Sequence, residues 1–287
     1  MNEQTFRDLL FREGLSPQTV QSFRLLVVDA VGAESRTDLP WRQTRDPYRI
    51  MVSEIMLQQT QVERIRSRYG EFLLTFPDLE ALARASLQEV LAAWQGLGYN
   101  RRGMALKRAA EEVVARFGGM VPVTEEELRT LPGIGPYTAG AICAFAFDQP
   151  VVFIETNIRA VYLHHFFPDR QGITDRELFP LVALTLDRDA PREWYYALMD
   201  YGVLLKRLLP NPSRRSAHHV RQSPFKGSNR EVRSRILTAI LAQEGVTEGE
   251  LVTLLDGDAL RVKKNLGDLK REGFIAETSA GYAIREG

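Results

Sequence analysis

The sequence predicts an all-α protein that closes with a small α+β module. Three features point that way. Apolar residues recur with helical spacing over most of the chain, period-two alternation is scarce before residue 270, and a loosely alternating stretch follows at 274–284. At 287 residues the chain exceeds one average domain, and its 44% hydrophobic content suffices for a sizeable core.

Ser16-Pro17 opens the helix predicted over 17–32, a capping hydroxyl followed by proline at the first helical position. Residues 47–69 carry Ile50, Met51, Ile55, Leu57 and Val62 on a helical period. Within 76–117, helices start at Asp78 and Ser86, and Gly96-Leu97-Gly98 marks a turn. Thr124-Glu125-Glu126-Glu127 has a capping-box pattern, in which Thr and Glu satisfy each other's backbone donors. An apolar helix runs from about Tyr137 to Phe147. Residues 229–243 form an amphipathic helix with Val232, Ile236, Ile240 and Leu241 on one face. Thr247 opens a second helix ending near Leu255, and Asp258 caps a third that runs to about Arg271 before Gly273. Residues 274–284, turning at Ser279-Ala280-Gly281, suggest a β-hairpin. Three helices and a two-stranded wing resemble a winged-helix domain. Its third helix carries Arg261, Lys263, Lys264, Lys270 and Arg271, suited to phosphates; protein docking is the alternative use.

Net charge is +0, from 37 Lys+Arg and 37 Asp+Glu, so any case for nucleic-acid binding rests on local patches. Between 206 and 235, Lys206, Arg207, Arg214, Arg215, Arg221, Lys226, Arg230, Arg233 and Arg235 outnumber a single acid, Glu231. Pro210-Asn211-Pro212, Pro224 and Gly227-Ser228 interrupt that stretch, so 206–228 reads as a basic linker or docking arm between a core (1–205) and a C-terminal domain (229–287). DNA backbone is its candidate partner, and a solvated loop is the plainer alternative. Cys143 stands alone in an apolar run, which excludes an internal disulfide and makes a buried, inert thiol the expectation. His164-His165 and His218-His219 have no cysteine or acid cluster beside them in sequence and read as packing or surface residues, so no metal site is expected. The polar start Asn2-Glu3-Gln4 suggests no signal peptide, and no apolar run reaches the ~18 residues of a membrane span, so a cytoplasmic protein is expected.

The sharpest local signal is Leu131-Pro132-Gly133-Ile134-Gly135, followed by Thr138, between a capped helix and the apolar helix. Two glycines two apart permit a tight turn and close backbone approach to a ligand. Amides at the start of the second helix then favour an anion such as a DNA phosphate. Pro132 and Ile134 are expected to pin the turn to the core; a plain helix–helix turn is the alternative.

Several strings occur in order: Leu39-Pro40-Trp41, Asp46-Pro47-Tyr48, Ser53-Glu54-Ile55-Met56-Leu57-Gln58-Gln59-Thr60-Gln61-Val62, Trp94-Gln95-Gly96-Leu97-Gly98-Tyr99, Leu131 to Ile142, and Met199-Asp200-Tyr201-Gly202. On these the segment from about Leu39 to Tyr201 resembles the helix-hairpin-helix (HhH-GPD) DNA glycosylase superfamily, nearest its MutY-type adenine glycosylases. The resemblance implies a two-lobed helical core with a cleft between the lobes, and a base-excision enzyme that flips a nucleotide out of double-stranded DNA. It makes Glu54 the general acid that protonates the leaving base, where pattern alone would leave a surface residue. It places Glu155 where the superfamily carries an aspartate that stabilises the oxocarbenium-like sugar, here one methylene longer. Asn157 matches a residue that positions the first carboxylate or a water. Tyr137 stands where strand-cleaving relatives carry a Schiff-base lysine, which implies a monofunctional glycosylase. Gln58 and Gln59, read on a helix, are candidate wedges for the hole left by the extruded base. Tyr99 is a candidate stacking residue with core packing as its alternative, and Arg101, Arg102, Lys107 and Arg108 add a basic patch beyond it.

The chain also departs from the pattern. Many relatives carry four cysteines after the Met-Asp-x-Gly stretch that bind an iron–sulfur cluster; here Lys206 stands near the first position and no cysteine follows, so no such cofactor is expected. The winged-helix-like tail does not resemble the MutY-type domain that recognises oxidised guanine. The expected activity is excision of adenine opposite guanine or oxidised guanine by a nucleoid-associated monomer. A thymine or uracil mismatch glycosylase is the alternative, and a non-catalytic DNA-binding or winged-helix regulatory protein the second.

Overall fold

The computed structural model describes residues 2–32, 35–220, 224–255 and 258–286, so Arg221 of the basic stretch lies outside the described residues. The helices are α1 (Glu3–Glu13), α2 (Pro17–Val31), α3 (Pro47–Leu57), α4 (Val62–Thr75), α5 (Leu79–Arg84), α6 (Leu87–Ala93), α7 (Arg101–Phe117), α8 (Glu125–Leu128), α9 (Pro136–Phe147), α10 (Thr156–Phe166), α11 (Asp175–Thr185), α12 (Pro191–Leu208), α13 (Asn229–Ala242), α14 (Glu248–Leu254) and α15 (Ala259–Arg271). Strands β1 (Ile275–Thr278) and β2 (Gly281–Ile284) pair antiparallel, with Ile275 opposite Ile284. No helix among the described residues is long and apolar enough to cross a membrane.

Helix starts follow the capping chemistry. Ser16, Asp78, Thr124 and Asp258 each accept a backbone N–H of the first turn with their side chains, and Ser86 and Thr247 form full capping boxes with Glu89 and Glu250. Each cap satisfies a donor that the helix itself leaves unpaired.

Two compact units emerge. One comprises residues 1–51, 123–129 and 134–221; the other comprises 52–122, 130–133 and 222–287. The first is centred on aromatic packing of Phe6, Phe23, Tyr162, His165 and Phe166, with Trp194 edge-on to Phe23 at 6.0 Å. Its buried Asp200 accepts from Arg36 Nε (2.6 Å) and from both terminal nitrogens of Arg42 (2.7 and 2.8 Å). Burial pushes this carboxyl up, yet the two guanidiniums outweigh it and hold the group below its usual range.

The second unit contains the C-terminal module, and here the structure differs from the expected separate domain 229–287. Ile236, Leu237, Ile240, Leu251, Val262, Leu266, Leu269 and Phe274 share one core cluster with Leu87 and Leu91 of α6 and Met104 of α7. The expected arm 206–228 also changes character. Lys206 to Leu208 complete α12, and residues 212–215 form a 3-10 turn whose Ser213 Oγ donates to the Thr156 carbonyl at 2.8 Å.

The helical period over 47–69 is carried by two helices. α3 stops at Leu57, Gln59 takes φ +56°, and α4 begins at Val62. Arg102 explains the break. Its buried guanidinium donates to the carbonyls of Ile55 (3.1 Å), Met56 (2.9 Å) and Gln58, to Thr60 Oγ1 (2.9 Å), and to the carbonyls of Leu97 (3.1 Å) and Gly98 (3.0 Å). It takes up carbonyls released at the helix end and ties them to the glycine turn.

Candidate functional site

In the second unit, Glu54 lies on α3 with 4% of its surface exposed, between the fully buried Val52 and Ile55. A carboxylate in that setting runs against the surface position its sequence pattern suggests, because burying a charged group is costly. Just beyond, Gln58 and Gln59 occupy the turn between α3 and α4 rather than a helix, which corrects that expectation. Gln58 Nε2 donates to the carbonyl of Gly133 at 3.3 Å, and Gln59 is exposed at the left-handed position. Gly133 itself has φ +77°, and a Cβ there would lie 2.8 Å from Ala105 Cβ, so both conformation and space require glycine. Leu131 is 3% exposed and anchors this side of the hairpin.

Tyr99, at φ +49°, accepts at its hydroxyl from Arg230, and the guanidiniums of Arg102 and Arg230 each lie 5.3 Å from its ring centroid. Arg101 donates to Glu272 at 2.8 and 2.6 Å, and Arg233 binds the same carboxylate. These two guanidiniums, Arg101 foremost, hold Glu272 down at about 2. The basic patch expected here is therefore largely committed to protein partners. Arg102 has carbonyls, and desolvation lowers it to about 10; Lys107 is buried, with Nζ on the Ala83 carbonyl (3.2 Å) and Glu111 (2.6 Å).

In the first unit, Gly135 caps α9 and Pro136 takes its first position, where no N–H is needed. Ile134 is 5% exposed and Thr138 is buried, whereas Gly135 is exposed. Pro132 is only half-buried, so the deep anchors are Leu131 and Ile134 in place of the expected Pro132 and Ile134 pair. The start of α9 is exposed at Gly135 and Pro136, and the positive end of its dipole favours an anion there. Tyr137, half-buried, packs its ring against Phe153 at 5.8 Å.

Glu155 is the N-cap of α10. Its Oε1 accepts from the backbone amides of Asn157 (2.5 Å) and Ile158 (2.8 Å), and its Oε2 accepts from Asn157 Nδ2 (3.2 Å). Burial pushes its carboxyl up, while Lys206, those amides and Arg159 pull the other way without overcoming it. The structure thus brings Glu155 and Asn157 into direct contact. It also adds a residue that the sequence placed only in the basic arm and at a cysteine position: Lys206 Nζ donates to Asn157 Oδ1 (2.8 Å) and Thr156 Oγ1 (3.1 Å).

The residues present do not fit a cysteine-bound cluster. Lys206 is a donor already engaged, and the thiol of Cys143, the sole cysteine, is buried on α9 against the Val123 carbonyl and pushed up to about 11 by burial. Glu3, His164 and His165 place ligand-type atoms near one another, but Arg7 binds the same Glu3 carboxylate and opposes a cation there. His165 Nε2 instead meets Tyr201 Oη at 2.9 Å, and His218 accepts from the Asp175 amide at 3.3 Å.

Residues 52–181 match the HhH-GPD superfamily of base excision DNA repair proteins. The chain is 32% identical over 274 residues to an adenine DNA glycosylase of Mycobacterium tuberculosis, covering 86% of this chain and 88% of that one. It is 38% identical over 196 residues to the Rattus norvegicus adenine DNA glycosylase, and this match covers 64% of the chain but only 38% of the rat protein's length. A solved thermostable thymine-DNA glycosylase aligns with TM-score 0.57 at 25% identity, over 64% of this chain and 86% of its own.

Proposed function

Given that the chain belongs to the HhH-GPD base-excision repair superfamily, and within it to the adenine DNA glycosylases, we propose that it is a monofunctional glycosylase hydrolysing the N-glycosidic bond of adenine mispaired with guanine or oxidised guanine. The observation that carries the reading is Glu54, a carboxyl group buried on an apolar helix inside the segment matched by the family. Buried ionisable groups cluster at functional sites, where their surroundings tune them for proton transfer.

Glu54 donates its proton to one ring nitrogen of the extruded adenine, so that the bonding pair leaves with a neutral base. Positive charge then develops on the sugar, and the Glu155 carboxylate stabilises it through space. Water adds to the sugar carbon and gives up a proton to the ionised Glu54, leaving an abasic site and an unbroken strand. Tyr137 offers no amine at the sugar, so no Schiff base forms. The hairpin from Leu131 to Gly135 and the start of α9 grip a phosphate of the strand, Gln58 and Gln59 fill the vacated stack, and Tyr99 and Arg101 border the lesion. No cofactor is needed.

The similarity to a solved thymine-DNA glycosylase supports a second reading, removal of thymine or uracil opposite guanine. Single-turnover cleavage separates the two. Duplexes holding adenine opposite guanine or oxidised guanine, or thymine or uracil opposite guanine, are incubated and then treated with alkali. Cleavage of the adenine strand is expected; cleavage confined to thymine or uracil strands selects the second reading. Breakage without alkali, or borohydride trapping of an adduct, overturns the monofunctional assignment.

A further inference from the structure

We propose that Lys206 is a positioning residue for this site: its ammonium fixes the side-chain amide of Asn157, and that amide in turn holds the Glu155 carboxylate. The inference rests on the glycosylase reading and deepens it. An ammonium carries donors only, so the atom of Asn157 that faces Lys206 Nζ at 2.8 Å must be the oxygen. The amide nitrogen is then forced toward Glu155 Oε2, at 3.2 Å. An asparagine amide is nearly symmetric in shape and turns over when nothing selects its orientation. Turned over, it would set its oxygen against a carboxylate, acceptor against acceptor.

The same helix fixes the other end of Asn157. At Gly202, one turn before Lys206, a Cβ would lie 2.3 Å from the Asn157 carbonyl oxygen and 2.7 Å from its Cβ, so α12 approaches as closely as a backbone can. Its own glycine thus seats the Asn157 backbone and its lysine orients the side chain. Glutamate makes this grip more consequential than aspartate would, because it has an additional torsion to immobilise. Oε1 is held by two α10 amides, and Oε2 by Asn157 Nδ2. Burial lowers the Lys206 pKa; the Glu155 carboxyl opposes that shift and Arg159 adds to it.

The test compares the full-length parent with Lys206→Met, Lys206→Arg, Asn157→Ala and the Lys206→Met/Asn157→Ala double variant. Single-turnover excision and Kd are measured on the same mispaired duplex. Lys206→Met is expected to slow excision by roughly 10- to 100-fold with little change in Kd, since misplacing a reacting group by about 1 Å costs on that order. Lys206→Arg, another donor-only cation, restores much of the loss. In the Asn157→Ala background Lys206→Met adds little, because the two act in series. Parental rates in Lys206→Met, or multiplicative losses in the double variant, overturn the proposal, as does a borohydride-trapped adduct that Lys206→Met abolishes. A second readout does not depend on activity. The side-chain amide of Asn157 gives a single, exchange-protected pair of NMR resonances in the parent, and Lys206→Met averages or exposes them; an unchanged pair overturns the proposal. A parent that excises no base refutes the glycosylase reading, and the NMR comparison still decides the role of Lys206.

Discussion

Glu54 is a carboxyl group 4% exposed on α3, a helix whose neighbouring valine, isoleucine and methionine side chains are buried. Replacing Glu54 with glutamine keeps its shape and removes its proton-donating role. The expected outcome is excision slowed by ~10²–10⁴-fold with duplex affinity retained, read by single-turnover kinetics beside a binding titration. Parental cleavage by that variant sinks the general-acid assignment. Glu155 makes a different prediction, about pH. Its native pKa is raised above the ordinary value of 4.5, chiefly by desolvation. The native state therefore holds its proton over a range in which the unfolded chain has released it, and this contribution to stability is present below 4.5 and lost as pH rises through the native value. Glu155→Gln is expected to remove that decline, so urea denaturation at pH 5 and pH 8 should show a smaller difference between the two pH values than the parent does, while excision falls.

Single elements show how much was legible. Caps at Ser16, Asp78, Ser86, Thr124, Thr247 and Asp258 were readable because their signals are local, a short polar side chain followed by helix-forming residues. The C-terminal helices and hairpin likewise follow hydrophobic period and turn residues. The end of α3 was not readable, because what ends it is a side chain more than forty residues away in sequence, Arg102. The carboxylate at 155 was legible through the family resemblance, but the role of Lys206 was not, since it depends on which helix α12 packs against. Arg102 carries the sharpest prediction at this scale. Arg102→Met takes a donor from five carbonyls. That of Gly98 keeps Trp94 Nε1 (3.1 Å) and that of Gln58 keeps Thr60 Oγ1 (3.3 Å), whereas those of Ile55, Met56 and Leu97 lose the guanidinium, at about 1–3 kcal/mol for each buried acceptor left unsatisfied. Denaturant titration is expected to show a loss of at least ~3 kcal/mol, and Arg102→Lys should recover little, because one ammonium cannot span the set. A loss below about 1 kcal/mol would mean that water replaces the guanidinium.

At the scale of the whole chain, the question is whether residues 222–287 are an appendage or part of the fold. An appended domain has its own closed core and can be cut away. Here the module's Ile236, Ile240 and Phe274 belong to the same apolar cluster as Leu87, Leu91 and Met104, and the pair of arginines on Glu272 joins α7 to α13 and the end of α15. Removing the module would open three core side chains of α6 and α7 to water, at roughly 1.5–3 kcal/mol for each large apolar group. That sum is a large part of the 5–15 kcal/mol by which a typical protein is stable. The Glu272 cluster adds a smaller, pH-dependent share. Because its carboxyl is depressed to about 2, that share is present above the ordinary 4.5 and is lost as pH falls toward 2. A chain ending after Val220 is therefore expected to lose its cooperative thermal transition, or to melt well below the parent and bind a hydrophobic dye, even though it retains Glu54, Glu155 and the hairpin. Glu272→Gln, a lighter cut at the same contact, is expected to lower Tm at pH 7 and to lower it less at pH 3, where part of this linkage is already lost. A truncated chain that melts with the parent and excises its base at the parental rate would show instead that the shared cluster contributes nothing the remaining helices cannot supply.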